Sequence, residues 1–212
     1  MSGTTMAAAQ VAGAAAIMKS VYPNWSPSAI QSALIMTAKA GTTRNHRGED
    51  VTSPFEYGNG RLDLTQAALA GMVMEETPAK FRMADPNAGG DPRNLNIPSY
   101  QNRTCLGSCT FARTFTNVTD QAATYSISFE NPGAMQIETS PQGSFTIPAG
   151  GTQQLMITLR PALGVGEAWQ TARVVLKTDA SFPNGKKMSD LAFSLAAKTK
   201  SSGSNLPTTL RH

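Results

Sequence analysis

From Thr4 to Tyr22 the chain is apolar or small on almost every side, with Met6, Ala7, Ala8, Ala9, Val11, Ala12, Ala14, Ala15, Ala16, Ile17 and Met18 leaving no polar stripe at helical spacing. That pattern predicts a helix that other protein must wrap, and this chain supplies little to wrap it. Pro23 closes it. Ser26 then offers an N-cap and Pro27 a first helical position. A second helix is expected to run to about Ala40 and stop at Gly41. Ile30, Ala33, Leu34, Thr37 and Ala38, at spacings of three and four, form its apolar face. A polar loop, 42–53, follows, and Leu62–Met74 has room for a short helix.

Beyond residues 77–95 the pattern changes from Ala- and Met-rich helical periodicity to Thr, Ser, Phe, Ile and Val alternating with polar residues. Asp85-Pro86, Gly89-Gly90 and Asp91-Pro92 mark the join as a linker. Strands are expected over 109–116, 124–130, 134–139, 144–147, 153–160, 169–177 and 191–198. Asn131-Pro132-Gly133, Pro148–Gly151 and Asn184-Gly185 punctuate them. About seven short strands in roughly 100 residues predict an all-β sandwich of immunoglobulin or fibronectin type III kind. Ser201–Pro207 has the composition of a flexible tail.

Composition narrows the class. With 212 residues, 40% hydrophobic and 15% charged, the chain is globular and long enough to bury a core. The net charge of +4 is scattered, with close pairs that include Arg44/Arg47, Lys186/Lys187 and Lys198/Lys200. No basic stripe with interleaved aromatics argues for a nucleic-acid partner. No run reaches the ~20 apolar residues of a membrane span. The run Met6–Met18 lacks a basic region before it and reads as a buried helix, so no targeting segment is expected. Two cysteines, Cys105 and Cys109, cannot fill a zinc site, and His46 and His212 lie far from them. Their spacing around a glycine leaves open a small disulfide loop or two free thiols. No metal and no cofactor is expected.

The start of the chain reads Ser2-Gly3-Thr4-Thr5-Met6-Ala7-Ala8-Ala9-Gln10-Val11-Ala12-Gly13. It resembles the nucleophile motif of the subtilisin-like serine proteases, S-G-T-S-M-A-x-P-H-V-A-G. Tyr22-Pro23-Asn24-Trp25-Ser26-Pro27, with Ile30–Leu34 and Thr37-Ala38, is similar to the family's next helix. Pro54-Phe55-Glu56-Tyr57-Gly58-Asn59-Gly60-Arg61-Leu62-Asp63 is similar to its closing segment, P-F-x-Y-G-x-G-x-x-[ND]. Leu95–Tyr100 and Arg113–Val118 resemble the opening of the fibronectin-like domain attached to many larger members. The resemblance implies a mixed fold: helices from the end of an α/β subtilisin-type domain over 1–76, a linker over 77–94, a fibronectin type III-like β-sandwich over 95–200 and a tail over 201–212. It implies peptide-bond hydrolysis by an Asp-His-Ser triad, a protein or peptide substrate, an upstream catalytic domain as partner and a secreted parent protein. A secreted parent favours the Cys105–Cys109 disulfide.

In this family a serine hydroxyl at the start of a buried helix attacks the scissile carbonyl, a histidine takes its proton and an aspartate orients the histidine. The nucleophile position here is Thr5, whose backbone N–H would also serve the oxyanion hole, and Gly3 and Thr4 would line the substrate. Three departures matter. Thr5 replaces serine. Ala9 and Gln10 replace the usual proline and histidine. The catalytic aspartate, catalytic histidine and oxyanion asparagine would all precede residue 1. His46 follows the nucleophile helix, against family order, and reads as a loop residue. Threonine keeps a hydroxyl but adds a methyl that stiffens and crowds the site. Thr5 is therefore either a weakened nucleophile or a helix N-cap in a pseudo-protease. The alternative function is a non-catalytic module whose β-sandwich supports or contacts partners. Asn102-Arg103-Thr104 and Asn117-Val118-Thr119 match glycosylation acceptors. Glu56 and Asp63 read as surface and turn residues, and the ten methionines as core filler.

Overall fold

A computed structural model describes residues 3–162 and 168–199. Two helices lead: α1 (Thr4–Val21) and α2 (Pro27–Met36). Ser26 caps α2 by accepting from the amide of Ala29, with Pro27 behind it. Helix α2 ends four residues short of Ala40. The Thr37 hydroxyl folds back onto the carbonyl of Ala33, and Lys39 leaves the helix to pair with Arg61. A short-range pattern cannot show that a strand-like partner will take over the chain at that point. Two single-turn helices follow, α3 (Pro54–Tyr57) and α4 (Leu64–Ala67), capped by Ser53 and Asp63.

Strand β1 (Met72–Val73) comes next. The expected linker is a string of short capped turns. Helix α5 (Pro78–Met83) and two 3₁₀ turns, Pro86–Ala88 and Pro92–Asn94, start from Thr77, Asp85 and Asp91, each with proline at the first position. The remaining strands are β2 (Ser99–Cys105), β3 (Cys109–Asn117), β4 (Ala123–Glu130), β5 (Gln136–Ser140), β6 (Ser144–Ile147), β7 (Thr152–Arg160), β8 (Trp169–Lys177) and β9 (Leu191–Thr199).

The strands form two sheets, ordered β1-β3-β7-β5 and β2-β9-β8-β4-β6. Pairing is antiparallel except between β2 and β9. Alternation sets the register: Phe111 lies opposite Ile157, and Val174 opposite Phe193. Phe115, Phe145, Phe193, Tyr125, Leu155, Ile157 and Leu159 fill the space between the sheets. The chain is therefore mostly β, with a fibronectin-like sandwich as its largest unit.

The helical segment is attached to this core. Strand β1 pairs with β3, so the segment before the turns supplies a sheet edge. Helix α2 lies against both β1 and β9. Ser28 exchanges hydrogen bonds with the backbone of Glu76, and Ser32 accepts from the amide of Met74. A disulfide joins Cys105 to Cys109 across the turn between β2 and β3.

Candidate active site

Thr5 lies in the first turn of α1, exposed, with Gly3 at the N-cap position and Thr4 as the first helical residue. No side chain caps the helix. Gly3, not Thr5, stands at the N-cap position, and its carbonyl takes the first intrahelical bond, from the amide of Ala7 at 3.2 Å. The first-turn N–H groups lack intrahelical partners and carry the positive end of the helix dipole. That is suitable ground for a developing oxyanion. The Thr5 hydroxyl makes no hydrogen bond to another described side chain, so no base activates it among the described residues.

The helix behind Thr5 is largely bare. Only Ala14 and Met18 are buried, while Met6 (52% exposed), Val11 (45%), Ile17 (51%) and Val21 (53%) face outward. Its far end is well anchored. Tyr22 stacks on Trp25 with ring centroids 4.1 Å apart, and its hydroxyl donates to the carbonyl of Ala68. Burial raises the Tyr22 pKa, so this donor keeps its proton. Lys19 Nζ donates to the carbonyls of Pro23 and Trp25, at 2.7 and 2.9 Å. An apolar groove of about 440 Å³ opens beside the helix, between Val11, Leu34, Ala38 and Phe55 on one side and Gln101 and Ala196 on the other.

His46 is an exposed loop residue, in a turn organised by Asn45 and closed by an Arg44–Asp50 ion pair at 3.2 Å. Glu56 is exposed in α3, and Asp63 caps α4 by accepting from the amide of Gln66. Among the described residues no three His, Cys, Asp or Glu side chains group as metal ligands. No described helix is long and apolar enough to cross a membrane.

Both glycosylation motifs are folded inward. Asn102 and Asn117 are 5% and 1% exposed. Asn102 Nδ2 donates to the Tyr100 hydroxyl, and its Oδ1 accepts from the amide of Thr104 and from Arg93. Asn117 Nδ2 donates to the carbonyls of Gln121 and Ile147, and its Oδ1 accepts from the amide and hydroxyl of Thr119. Each Asn-x-Thr is an Asx turn that uses the amide a glycan would need.

Arg113 opens a segment that resembles the fibronectin-like domain, but its buried role is not written in that pattern. It is buried on β3, and its guanidinium donates to the carbonyls of Arg93, Ile97, Ser99 and Ala112. It lies 4.8 Å from the Phe111 ring centroid and 5.8 Å from that of Tyr100. Burial pulls its pKa down to about 10, and nearby Tyr100 and Glu76 oppose that shift. The group stays charged at neutral pH and pins the segment that leads into β2. Its sequence signal is only an arginine at an inward position between Phe111 and Phe115.

Comparison with known proteins gives two family matches. Residues 1–60 match the subtilase family, and residues 94–182 match the fibronectin type-III domain. Subtilisin-like protease SBT2.6 of Arabidopsis thaliana is 30% identical over 214 residues, covering 84% of this chain and 25% of that protein. Subtilisin-like protease SBT3 of Solanum lycopersicum is 32% identical over 171 residues, covering 66% of this chain and 22% of that protein. The chain thus spans about a quarter of the length of the curated relatives it matches. Among solved structures, the PapD-like domain 7 of human CEP192 is 18% identical with a TM-score of 0.37, covering 49% of this chain and 81% of that one.

Proposed function

We propose, for a chain that belongs to the subtilisin-like serine protease family, that its helical segment completes the catalytic domain of a larger secreted endopeptidase. The sandwich is fixed behind that segment. The observation that carries this reading is α1: apolar on every face, bare on most of them, and starting at the position of the family nucleophile. A helix of that composition is stable in water when more protein covers it. The α/β part of a subtilisin-type domain supplies such a cover, together with the histidine and aspartate that Thr5 lacks here.

In that setting Thr5 Oγ1 attacks the scissile carbonyl of a protein or peptide substrate. A histidine takes its proton, and the amides at the start of α1 face the oxyanion. Gly3 and Thr4 border the substrate. Threonine's methyl makes this a slower nucleophile than serine. The Cys105–Cys109 disulfide supports an oxidising, extracellular location for the parent protein. The second reading, a non-catalytic protein in which the sandwich supports or contacts partners, draws on the threonine at the nucleophile position, whose hydroxyl has no hydrogen-bond partner among the described residues.

The chain alone hydrolyses no peptide bond above background on this account, because triad members act as a unit. A fluorophosphonate probe labels only an activated hydroxyl. It should leave the isolated chain unlabelled, both as it stands and with Thr5→Ser. In a parent protein that holds the upstream histidine and aspartate, Thr5→Ser should raise labelling. Labelling of the isolated chain at Thr5 would overturn the requirement for an upstream part. A parent protein that labels with neither residue would favour the non-catalytic reading.

A further inference from the structure

Asn59 spans the join between the helical segment and the sandwich with its whole side-chain amide. Its Nδ2 donates to the carbonyl of Ile35 near the end of α2, at 2.5 Å, and to that of Ala192 on β9, at 2.7 Å. Its Oδ1 accepts from the Ser194 hydroxyl, also on β9, at 3.0 Å. The backbone is shaped for this reach. Gly58 and Gly60 flank Asn59 with φ of +63° and +125°, conformations that favour glycine. A Cβ on Gly60 would stand 2.5 Å from the carbonyl oxygen of Lys39. The next residue, Arg61, exchanges both backbone hydrogen bonds with Lys39, at 2.8 and 3.0 Å.

Helix α2 therefore has two anchors. Ser28 and Ser32 hold its start and its middle to the chain around β1. Asn59 is placed to hold its last turn to β9. We infer that Asn59 is a positioning residue: it couples the end of α2 to strand β9, so that the helix pair carrying Thr5 takes its place from the sandwich. The inference rests on the protease reading only for what Thr5 does. The coupling itself is a property of this chain.

Asparagine is required because both of its N–H groups face carbonyl oxygens. Asn59→Asp keeps the size and the acceptor for Ser194 but sets a carboxylate against those two carbonyls. At neutral pH, amides of residues 34–38 should then exchange with solvent about tenfold faster than in the parent chain, the effect of losing one to two hydrogen bonds. Residues 29–31 and strands β3 and β7 should exchange as before. Facing two carbonyl oxygens raises the aspartate's folded pKa above its unfolded value of about 4. The penalty is therefore present above the folded pKa and disappears as pH falls. Compared with the parent chain at each pH, the variant should recover part of its protection on acidification, when a neutral carboxyl regains one donor. Ser194→Ala, which removes a single donor, should give a smaller loss at the same amides. Unchanged exchange at 34–38 in Asn59→Asp would overturn the inference, as would an equal loss across β3 and β7 that acid does not reverse. Because the readout is exchange, failure here leaves the protease reading to be decided by probe labelling.

Discussion

Helix α1 and strand β9 are both apolar on more than one face, yet the structure treats them oppositely. In β9, Leu191, Ala192, Phe193, Leu195, Ala196 and Ala197 are all buried. One face looks into the sandwich, where Phe193 meets Phe115 at 6.4 Å, and the other lies under α2 and the Asn59 segment. In α1 only Ala14 and Met18 are buried. Apolar residues on every side predict burial, but the covering partner lies outside the pattern. For β9 the partner is elsewhere in this chain. For α1 it is, on our account, the rest of a catalytic domain.

The largest expected effect separates the two elements. Phe193→Ala should cost roughly 3–5 kcal/mol in chemical denaturation, because a fully enclosed ring is replaced by a cavity. Val11→Ser on α1, at a site 45% exposed, should stay within about 0.5 kcal/mol. Similar costs at both positions would mean that α1 is covered within this chain after all.

Next in size is the attachment of the segment before β2. Arg113→Lys keeps the charge but cannot reach four carbonyls at once. A loss of roughly 2 kcal/mol in the same assay is expected. A neutral outcome would show that the Arg113 contacts do not hold the join. The Cys105–Cys109 bridge closes a loop with a sequence separation of 4. The chain-entropy rule gives it about 2 kcal/mol. Thiol titration of the native oxidised chain should find no free thiol, and two free thiols would refute the bridge.

The smallest effect is electrostatic. Arg93, hydrogen-bonded to Asp91, lowers that carboxyl below its usual 3.8. A lowered folded pKa contributes stability above the unfolded value and loses it as pH falls below 3.8. The pair is substantially exposed, so Asp91→Asn should flatten the acid limb of stability only slightly.

These sites also mark what was legible in the sequence. Strand β7 was, because Leu155, Ile157 and Leu159 alternate inward with polar residues between them. Strand β2 was missed. Tyr-Gln-Asn-Arg-Thr carries little apolar alternation, and its inward Asn102 is satisfied by Tyr100 and Arg93 rather than by apolar contact. The extended stretch after α4 was missed too, since β1 is only two residues long and is defined by its partner β3. The helical ends were harder than the helices, as the Lys39–Arg61 pair that ends α2's path joins residues far apart in the chain. At the candidate site, Thr5 was legible through the motif around it. Asn59 was not, because two of its three partners are backbone carbonyls, the farther 133 residues away. The covered faces of α2 carry serines at positions 28 and 32, one helical turn apart. That spacing is a weak signal that a helix is stitched to a strand.

The central claim is that the sandwich is a finished unit while α1 is waiting for a cover. Hydrogen exchange on the 212-residue chain tests it most directly. The account predicts slow exchange in β3 and β7, whose ladder runs from Cys109 opposite Leu159 to Thr116 opposite Thr152. It predicts fast exchange over the exposed first half of α1, where no buried side chain precedes Ala14. Equally high protection in α1 and in the β3–β7 pair would contradict it.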